Sequence, residues 1–499
     1  MVGLRTVSIS LLLASIPFPI VAQSADGLRL PKHDAPILDA ANSRNQMALS
    51  KIESYTPIDF LELGEFESII VEYAEPTDDP FVDGQALAAA ASLGVTATQL
   101  APNTFELQIS SLPISASEFD VDGDFLRQKR AETVAGILEN DETIEDWFPN
   151  YRVDSQEITD PLYAQQWHYS PNDEILGGGK FPGGTDLSSL WEWSSGSDEV
   201  VVAVLDTGFL YHHEDAANVV PGYDFVSDLT AANDGDGWDS DAEDPGDACG
   251  PLAKDSWHGS HVAGIIGALG HNGKGAVGIT PKVSIMPVRV LGKCGGDFRD
   301  IMTAVLWSAD LLDSQTLMDL GLPRVQKKAD IINMSLGGVG RCRPSFGRNF
   351  LRVAESGTLI IVAAGNSARN VQDFIPASCP GVMAVAASDM SGSLASRYSN
   401  YGPLISIMAP GGDIDADLDG NGLPDGILSM VANDYAFYNG TSMAAPHVSG
   451  LAAHIYALDP TIAPNDAINL MVNYGLKRSD QHCPVKCGTL LSAKFLLPE

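Results

Sequence analysis

Three short runs of this chain hold the residue types that cleavage of a peptide bond by a serine requires. A hydroxyl must attack, an imidazole must take and return its proton, and a carboxylate must hold the imidazole's tautomer and balance its charge. VVVAVLDTG places Asp206 directly after an apolar run that reads as a buried strand. WHGSHVAGIIG places His258 at the start of an apolar helix, and NGTSMAAPHVSG places Ser442 at another helix start. Free N–H groups and the positive end of the helix dipole favour a developing oxyanion at such a position. Each run alone is ordinary, since an Asp after a strand is usually a turn or cap and Gly-Thr-Ser is a common N-cap. Together they are informative, because the chain order Asp, His, Ser is one of the orders in which this constellation recurs.

Positioning those residues falls to the elements between them. From about Asp198 the runs EVVVAVL, VSIMPVRVL, ADIINMS, TLIIVAA, VMAVAA and LISIMA suit fully buried parallel strands and alternate with helix-like segments. That alternation implies an α/β domain, doubly wound, with a mostly parallel sheet flanked by helices, whose site lies at the carboxyl ends of the strands. Asp297 is expected to cap FRDIMTAVLWSADLL, and Pro464 to open a helix running through Asn473. Upstream, the strand-like FESIIVEYAE and TFELQIS surround the helical RQKRAETVAGILEN, which reads as a separate small α+β unit.

VAVLDTG, HGSHVAG and GTSMAAPHVSG resemble the three signature segments of the subtilisin-like serine protease family, and AAGNS resembles its oxyanion-hole segment. The likeness extends from about Tyr163 to Ala453. Ser260 stands where the family usually has Thr; it keeps the hydroxyl and loses a methyl group. The resemblance implies a secreted serine endopeptidase of the subtilisin-like fold that works through an acyl-enzyme. Its triad is Asp206, His258 and Ser442, and Asn366 is an oxyanion donor. Ser335, Leu336 and Gly337 then form an edge that pairs with extended protein or peptide substrate, while Gly295, Gly296 and Asp297 approach from the other side. Ala363, Ala364 and Gly365 are expected to line the primary specificity pocket. Residues 23–155 become a propeptide that inhibits its own chain until autoprocessing, with EDWFPNYRV lying in the cleft as a product-like strand, and residues 156–499 become the peptidase domain.

Composition sets the outer limits. With 44% hydrophobic and 19% charged residues the chain is suited to packed soluble domains. Its 29 Lys and Arg against 65 Asp and Glu exclude a nucleic-acid binder, which needs clustered basic residues to neutralise phosphates. Residues 1–22, with Arg5 before an apolar stretch and small residues at its end, read as a secretory signal peptide, and hence as an extracellular destination. Pro17, Pro19 and the short apolar length weigh against a membrane anchor. A monomer is expected.

All six cysteines lie between Cys249 and Cys487, and an even count in an exported chain implies disulfides without fixing their connectivity. CPVKC brings Cys483 and Cys487 close. The sequential pattern of similar secreted bacterial enzymes implies Cys249–Cys294 and Cys342–Cys379 for the others. Two acidic, glycine-interrupted loops suit structural calcium. The first offers Asn233, Asp234, Asp236, Asp239 and Asp241; the second offers Asp415, Asp417, Asp419, Asn421 and Asp425. From Asp417 the second follows D-x-D-x-N-G, but Leu428 stands where an EF-hand has its bidentate Glu, so it is not an EF-hand. No metal is required for the chemistry, because the triad and Asn366 already supply nucleophile, base and oxyanion donor. His212 and His213 read as structural, and His447, one helical turn beyond Ser442, as a brace.

Overall fold

The computed structural model describes residues 66–73, 96–101, 104–108, 144–151, 158–171, 175–176, 179–180, 182–191 and 194–497. The expected signal peptide and the helical run RQKRAETVAGILEN lie outside these residues.

The N-terminal part contributes strands β1 Phe66–Tyr73, β2 Thr96–Ala101, β3 Thr104–Gln108 and β4 Ile144–Tyr151. They form an antiparallel sheet in the order β2-β3-β1-β4, with Val71, Phe105 and Leu107 buried. EDWFPNYRV, expected along the cleft, supplies the edge strand β4 of this sheet through Tyr151; Arg152 and Val153 lie outside the described residues.

Further along come β5 Val201–Asp206, β6 Asn218–Val219, β7 Tyr223–Asp224, β8 Ser284–Arg289, β9 Ile331–Met334, β10 Leu359–Ala363, β11 Met383–Ser388 and β12 Ile405–Pro410. A hairpin of β13 Ile427–Val431 and β14 Asp434–Tyr438 and a short β15 Thr489–Leu490 complete the set used below. One parallel sheet takes the order β15-β12-β11-β10-β9-β5-β8-β6, with β7 also paired to β8. Every residue of β5, β8, β9, β10 and β11 is buried, which is why these strands read as continuous apolar runs and not as alternating ones. Their side chains alternate between two cores. Val202 and Val204 enter one, and Val201, Ala203 and Leu205 enter the other. Pro287 is tolerated inside β8 because β6 pairs with Ser284 and Ile285 and β7 with Val288 and Arg289, so it falls in the gap between them.

Helices cover both faces. Helices α1 His258–Gly267, α4 Thr441–Leu458 and α5 Pro464–Tyr474 pack into the first core, and α2 Phe298–Ser308 and α3 Pro344–Glu355 into the second. The Asp297 carboxylate caps α2 by accepting from the Arg299 N–H at 2.7 Å, and Pro464 occupies the first turn of α5. Disulfides join Cys249 to Cys294, Cys342 to Cys379 and Cys483 to Cys487.

Candidate active site

Asp206 is the last residue of β5, Ser335 follows β9 directly, and Asn366 lies just beyond β10. All three stand at the carboxyl ends of neighbouring strands, where the chain leaves β5 for α1 on one face of the sheet and β9 for α3 on the other. That is where a crevice opens in doubly wound folds. His258 and Ser442 reach the same place from the first turns of α1 and α4.

Asp206 is fully buried, and its Oδ1 accepts both the Thr207 N–H at 2.8 Å and the His258 Nδ1–H at 2.7 Å. With Nδ1 donating to a carboxylate, Nε2 is left as the basic nitrogen. Burial pushes the imidazole pKa down, but the charge and hydrogen bond of Asp206, with Asp247 and Asp244 behind it, hold it above its ordinary 6.5. Thr207 ties this corner together, because its Oγ1 accepts from the Gly259 N–H at 2.9 Å and donates to Asp244 Oδ2 at 2.6 Å. Burial raises Asp244 to about 6. The Ser260 hydroxyl accepts from the Leu210 N–H at 2.9 Å, a task that needs the oxygen and not the missing methyl.

Ser442 Oγ donates to the Ser335 carbonyl at 3.2 Å, so in this arrangement its single proton points at Ser335 and not at His258. Beneath it runs a buried polar chain. Ser449 Oγ donates to Asn333 Oδ1 at 2.9 Å, Asn333 Nδ2 to Ser335 Oγ at 3.0 Å, and Ser335 Oγ to the Ser442 carbonyl at 2.8 Å.

Asn366 is oriented by Thr441. Its Oδ1 accepts from the Thr441 N–H and from the Thr441 hydroxyl, both at 2.9 Å, while that hydroxyl accepts from the Gly365 N–H at 3.0 Å. The amide oxygen is therefore committed, and the Nδ2 donor is the end left for a ligand. A Cβ on Gly440 would approach Nδ2 to 3.1 Å, so glycine keeps that donor clear.

His258, Asn366, Ser442, Met443, Ile414, Tyr438 and Asn439 line a cleft of about 320 Å³. Of the residues expected from sequence, His258, Ser442 and Asn366 meet there, with Asp206 behind His258. Gly337 is exposed and Leu336 half-buried beyond β9, and Gly295 and Gly296 are exposed in a turn that pairs Gly292 with Gly295. Both segments are open to an extended chain, although neither lines this cleft. The Ala363 and Ala364 methyls are buried in the two opposite cores, and Asn400 Nδ2 donates to the Ala364 carbonyl at 2.7 Å. Gly365 is half-buried beside them, its carbonyl accepting from the Asn400 N–H at 2.9 Å. Thr207, Thr441, Ile414, Tyr438 and Asn439 are the contributors that the motifs did not disclose. The alternation in SMVANDYAFYNGTS was the available signal for a hairpin running into Ser442.

The two acidic loops separate. In the first, Asp234 pairs with the buried Arg289, which also holds Asp224. Asn233 Nδ2 donates to the carbonyls of Pro245 and Gly246, and Asp239 is engaged in backbone pairing with Asp224. Asp234, Asp236 and Asp239 do not bring three carboxylate oxygens within 4.8 Å of one another. In the second, Asp417, Asp419 and Asp425 each bring a carboxylate oxygen within 4.8 Å of the others, the one such acidic group among the described residues. Backbone donors orient them: Gly422 N–H to Asp417, Asn421 N–H to Asp419 and Leu418 N–H to Asp425. Asn421 itself is spent internally, donating to Asp419 and accepting from the Leu423 N–H. Asp425 is 1% exposed, its Oδ1 has no hydrogen-bond partner, and burial with the neighbouring carboxylates raises it to about 6. An all-oxygen set with an orphaned buried oxygen fits a hard divalent cation such as calcium.

Comparison with known proteins agrees with this architecture. Residues 197–489 match the model of the subtilase family. An extracellular protease of Xanthomonas campestris is 39% identical over 348 residues, covering 67% of this chain and 57% of its own length. An extracellular basic protease of Dichelobacter nodosus is 37% identical over 330 residues, covering 63% and 51% respectively. The chain thus spans little more than half the length of these relatives. Among solved structures, a protease of Pseudoalteromonas arctica superposes with a TM-score of 0.59 at 39% identity, covering 67% of this chain and 97% of that one. By fold, by site geometry and by the span of the match, the chain belongs to the subtilase family.

Proposed function

We propose that this protein is an exported serine endopeptidase made as a self-processed precursor. The observation that carries the reading is the 2.7 Å bond from His258 to a fully buried Asp206 at the edge of a cleft that also holds Ser442 and the oriented amide of Asn366. Extended substrate pairs along Ser335–Gly337 and is approached by Gly295 and Gly296. Ser442 Oγ leaves its bond to Ser335, gives its proton to His258 Nε2 and bonds to the substrate carbonyl carbon, while Asp206 balances the imidazolium. The oxyanion is met by Asn366 Nδ2–H and by the Ser442 N–H at the head of α4. His258 then protonates the departing amine as the C–N bond breaks, and water releases the acyl group by the same steps in reverse.

Residues 1–22 act as the signal peptide in this reading, and residues 23–155 act as an intramolecular inhibitor that the chain removes itself. The relatives named as extracellular proteases support export. Asp417, Asp419 and Asp425 would hold a structural calcium ion, which would neutralise charge in the loop and take no part in the reaction. The alternative class is a protease-shaped binding protein without turnover. Ser442→Ala separates the two when the purified precursor is incubated alone. It is expected to lose peptide hydrolysis and to remain unprocessed, while the unchanged protein does both. Normal processing of Ser442→Ala without another protease would rule out self-maturation.

A further inference from the structure

The loop that carries the acidic cluster also supplies a wall of the cleft. Ile414 lies between Asp413 and Asp415, is 45% exposed, and lines the cleft with Tyr438 and Asn439. The loop is closed on itself at its base, where the Asp413 N–H donates to the Asp425 carbonyl at 3.0 Å and the Asp425 N–H to the Ala416 carbonyl at 2.9 Å. Ile414 folds over Gly426, the residue after Asp425. A Cβ there would come within 2.9 Å of Ile414 Cγ2 on one side and of Phe437 Cβ on the other. Gly426 is itself anchored, its carbonyl accepting from Trp167 Nε1 at 3.0 Å.

The two apolar walls are held by different means. Tyr438 is fixed by its own surroundings: Ile427 pairs with it across the hairpin, its hydroxyl donates to the Ser256 carbonyl at 2.7 Å, and His261 stacks on it with ring centroids 4.3 Å apart. Ile414 rests on Gly426 and has neither a hydrogen bond nor a ring stack of that kind. The segment beside it is held from outside by Arg397, which pairs with Asp413 and Asp415, and it continues into the loop where Asp417, Asp419 and Asp425 gather. Three carboxylates that close repel one another unless a cation lies between them, and Asp425 is buried with an oxygen that no protein group satisfies.

The side of the substrate that meets Ile414 follows from the proposed chemistry. His258 must return its proton to the departing amine, so the amine leaves through the space that His258 borders, and that space is walled by Ile414, Tyr438 and Asn439. The edge at Ser335–Gly337, along which extended substrate is proposed to pair, lines none of it. We infer that a divalent cation held by Asp417, Asp419 and Asp425 sets the enzyme's preference on the leaving-group side of the scissile bond, by fixing Ile414 opposite Tyr438 to grip a large apolar residue there. The inference rests on the reading of Ser442 as nucleophile.

The test uses the mature enzyme at low temperature, with near-UV circular dichroism confirming the folded state in every sample. Calcium binding is measured by titration calorimetry on the chelator-treated enzyme and on Asp419→Asn. Initial rates are recorded for a peptide anilide, which has no residue beyond the cut, and for internally quenched peptides carrying Leu or Gly immediately after it. Calcium is expected to bind the unchanged enzyme and to bind Asp419→Asn more weakly. Chelation is expected to erase roughly a tenfold preference for Leu over Gly, the scale on which one apolar contact discriminates, while anilide hydrolysis stays the same. Ile414→Ala is expected to lose that preference with calcium bound and its calcium affinity unchanged. Absence of calcium binding, equal effects of chelation on both peptides and the anilide, or a preference that survives Ile414→Ala would each overturn the inference. No hydrolysis of any substrate would overturn the protease reading, and the inference with it. If Asp419→Asn does not fold, chelation of the unchanged enzyme together with Ile414→Ala decides the matter.

Discussion

The Ser335 hydroxyl donates to the main-chain carbonyl of Ser442 at 2.8 Å, and Ser442 Oγ donates back to the Ser335 carbonyl at 3.2 Å. The first bond answers a defect in α4. In a regular helix the Ser442 carbonyl would accept from the N–H of residue 446, which is Pro446 and has none. A residue on the neighbouring strand segment therefore holds both the backbone and the side chain of the proposed nucleophile, and Asn333 and Ser449 hold that residue in turn.

Ser335→Ala leaves the Ser442 carbonyl without a partner and is expected to lower stability by roughly 1–3 kcal/mol, with a fall in kcat as Ser442 loosens. Adding Pro446→Ala restores an N–H beneath that carbonyl. The double variant should be more stable than Ser335→Ala alone in denaturant titrations. Strict additivity of the two single changes would mean that the residues do not share this carbonyl.

Asn366→Ala removes the side-chain oxyanion donor and should lower kcat by about 10²–10³, a magnitude taken from subtilisin itself, with KM little changed. Thr441→Val removes only the hydroxyl that orients the amide, because the Thr441 N–H still donates to Asn366 Oδ1. A smaller loss in kcat is expected, and none once Asn366 is already alanine. A Thr441→Val effect that persists in the Asn366→Ala background would place Thr441's role elsewhere.

The acid limb of kcat/KM should reflect His258. Only the neutral imidazole can take the Ser442 proton, and its pKa is held above 6.5, so activity should be lost as pH falls through a value higher than that of a free histidine. Asp247, one of the carboxylates that raises it, touches neither substrate nor the imidazole in the hydrogen-bond pattern. Asp247→Asn should move the inflection to lower pH. An inflection that stays in place would show that His258 does not set this limb.

Removing calcium should shorten the enzyme's life without slowing the chemical step. A cation that binds only the folded state stabilises it by roughly 2.7 kcal/mol when the free ion exceeds the dissociation constant 100-fold. A chelator is therefore expected to speed thermal inactivation while leaving the initial rate on a peptide anilide unchanged. Immediate loss of that rate at low temperature would contradict a structural role. Asp417→Ala should reproduce the chelator's effect and Asp236→Ala should not, since only the loop of Asp417 gathers its carboxylates.

The residues at the end of β5 and at the heads of α1 and α4 were legible because three local runs, each ordinary alone, occur together in the order Asp, His, Ser, whereas Asn366 beyond β10 came from the resemblance alone. A buried apolar run stops at Asp206, and Gly-rich helix starts carry His258 and Ser442. The six strand runs were legible from local pattern, each being buried on both faces. What connects these residues was not. Thr207, Thr441 and Ser335 act through hydrogen bonds to partners 37, 75 and 107 positions away, and nothing in their own neighbourhood of sequence announces such a partner. Asp234 illustrates the converse. Its loop reads as a calcium loop, and its carboxylate pairs with Arg289, from the end of a strand 55 positions on.

The central claim is that Ser442 is a nucleophile activated by His258 and Asp206. A fluorophosphonate probe, which reacts with an activated serine hydroxyl, tests it on the mature protein when the adduct is mapped by peptide mass spectrometry. One adduct is expected, on Ser442 of the unchanged mature protein. A folded, processed protein that takes up no probe, or that carries it on another residue, would contradict it.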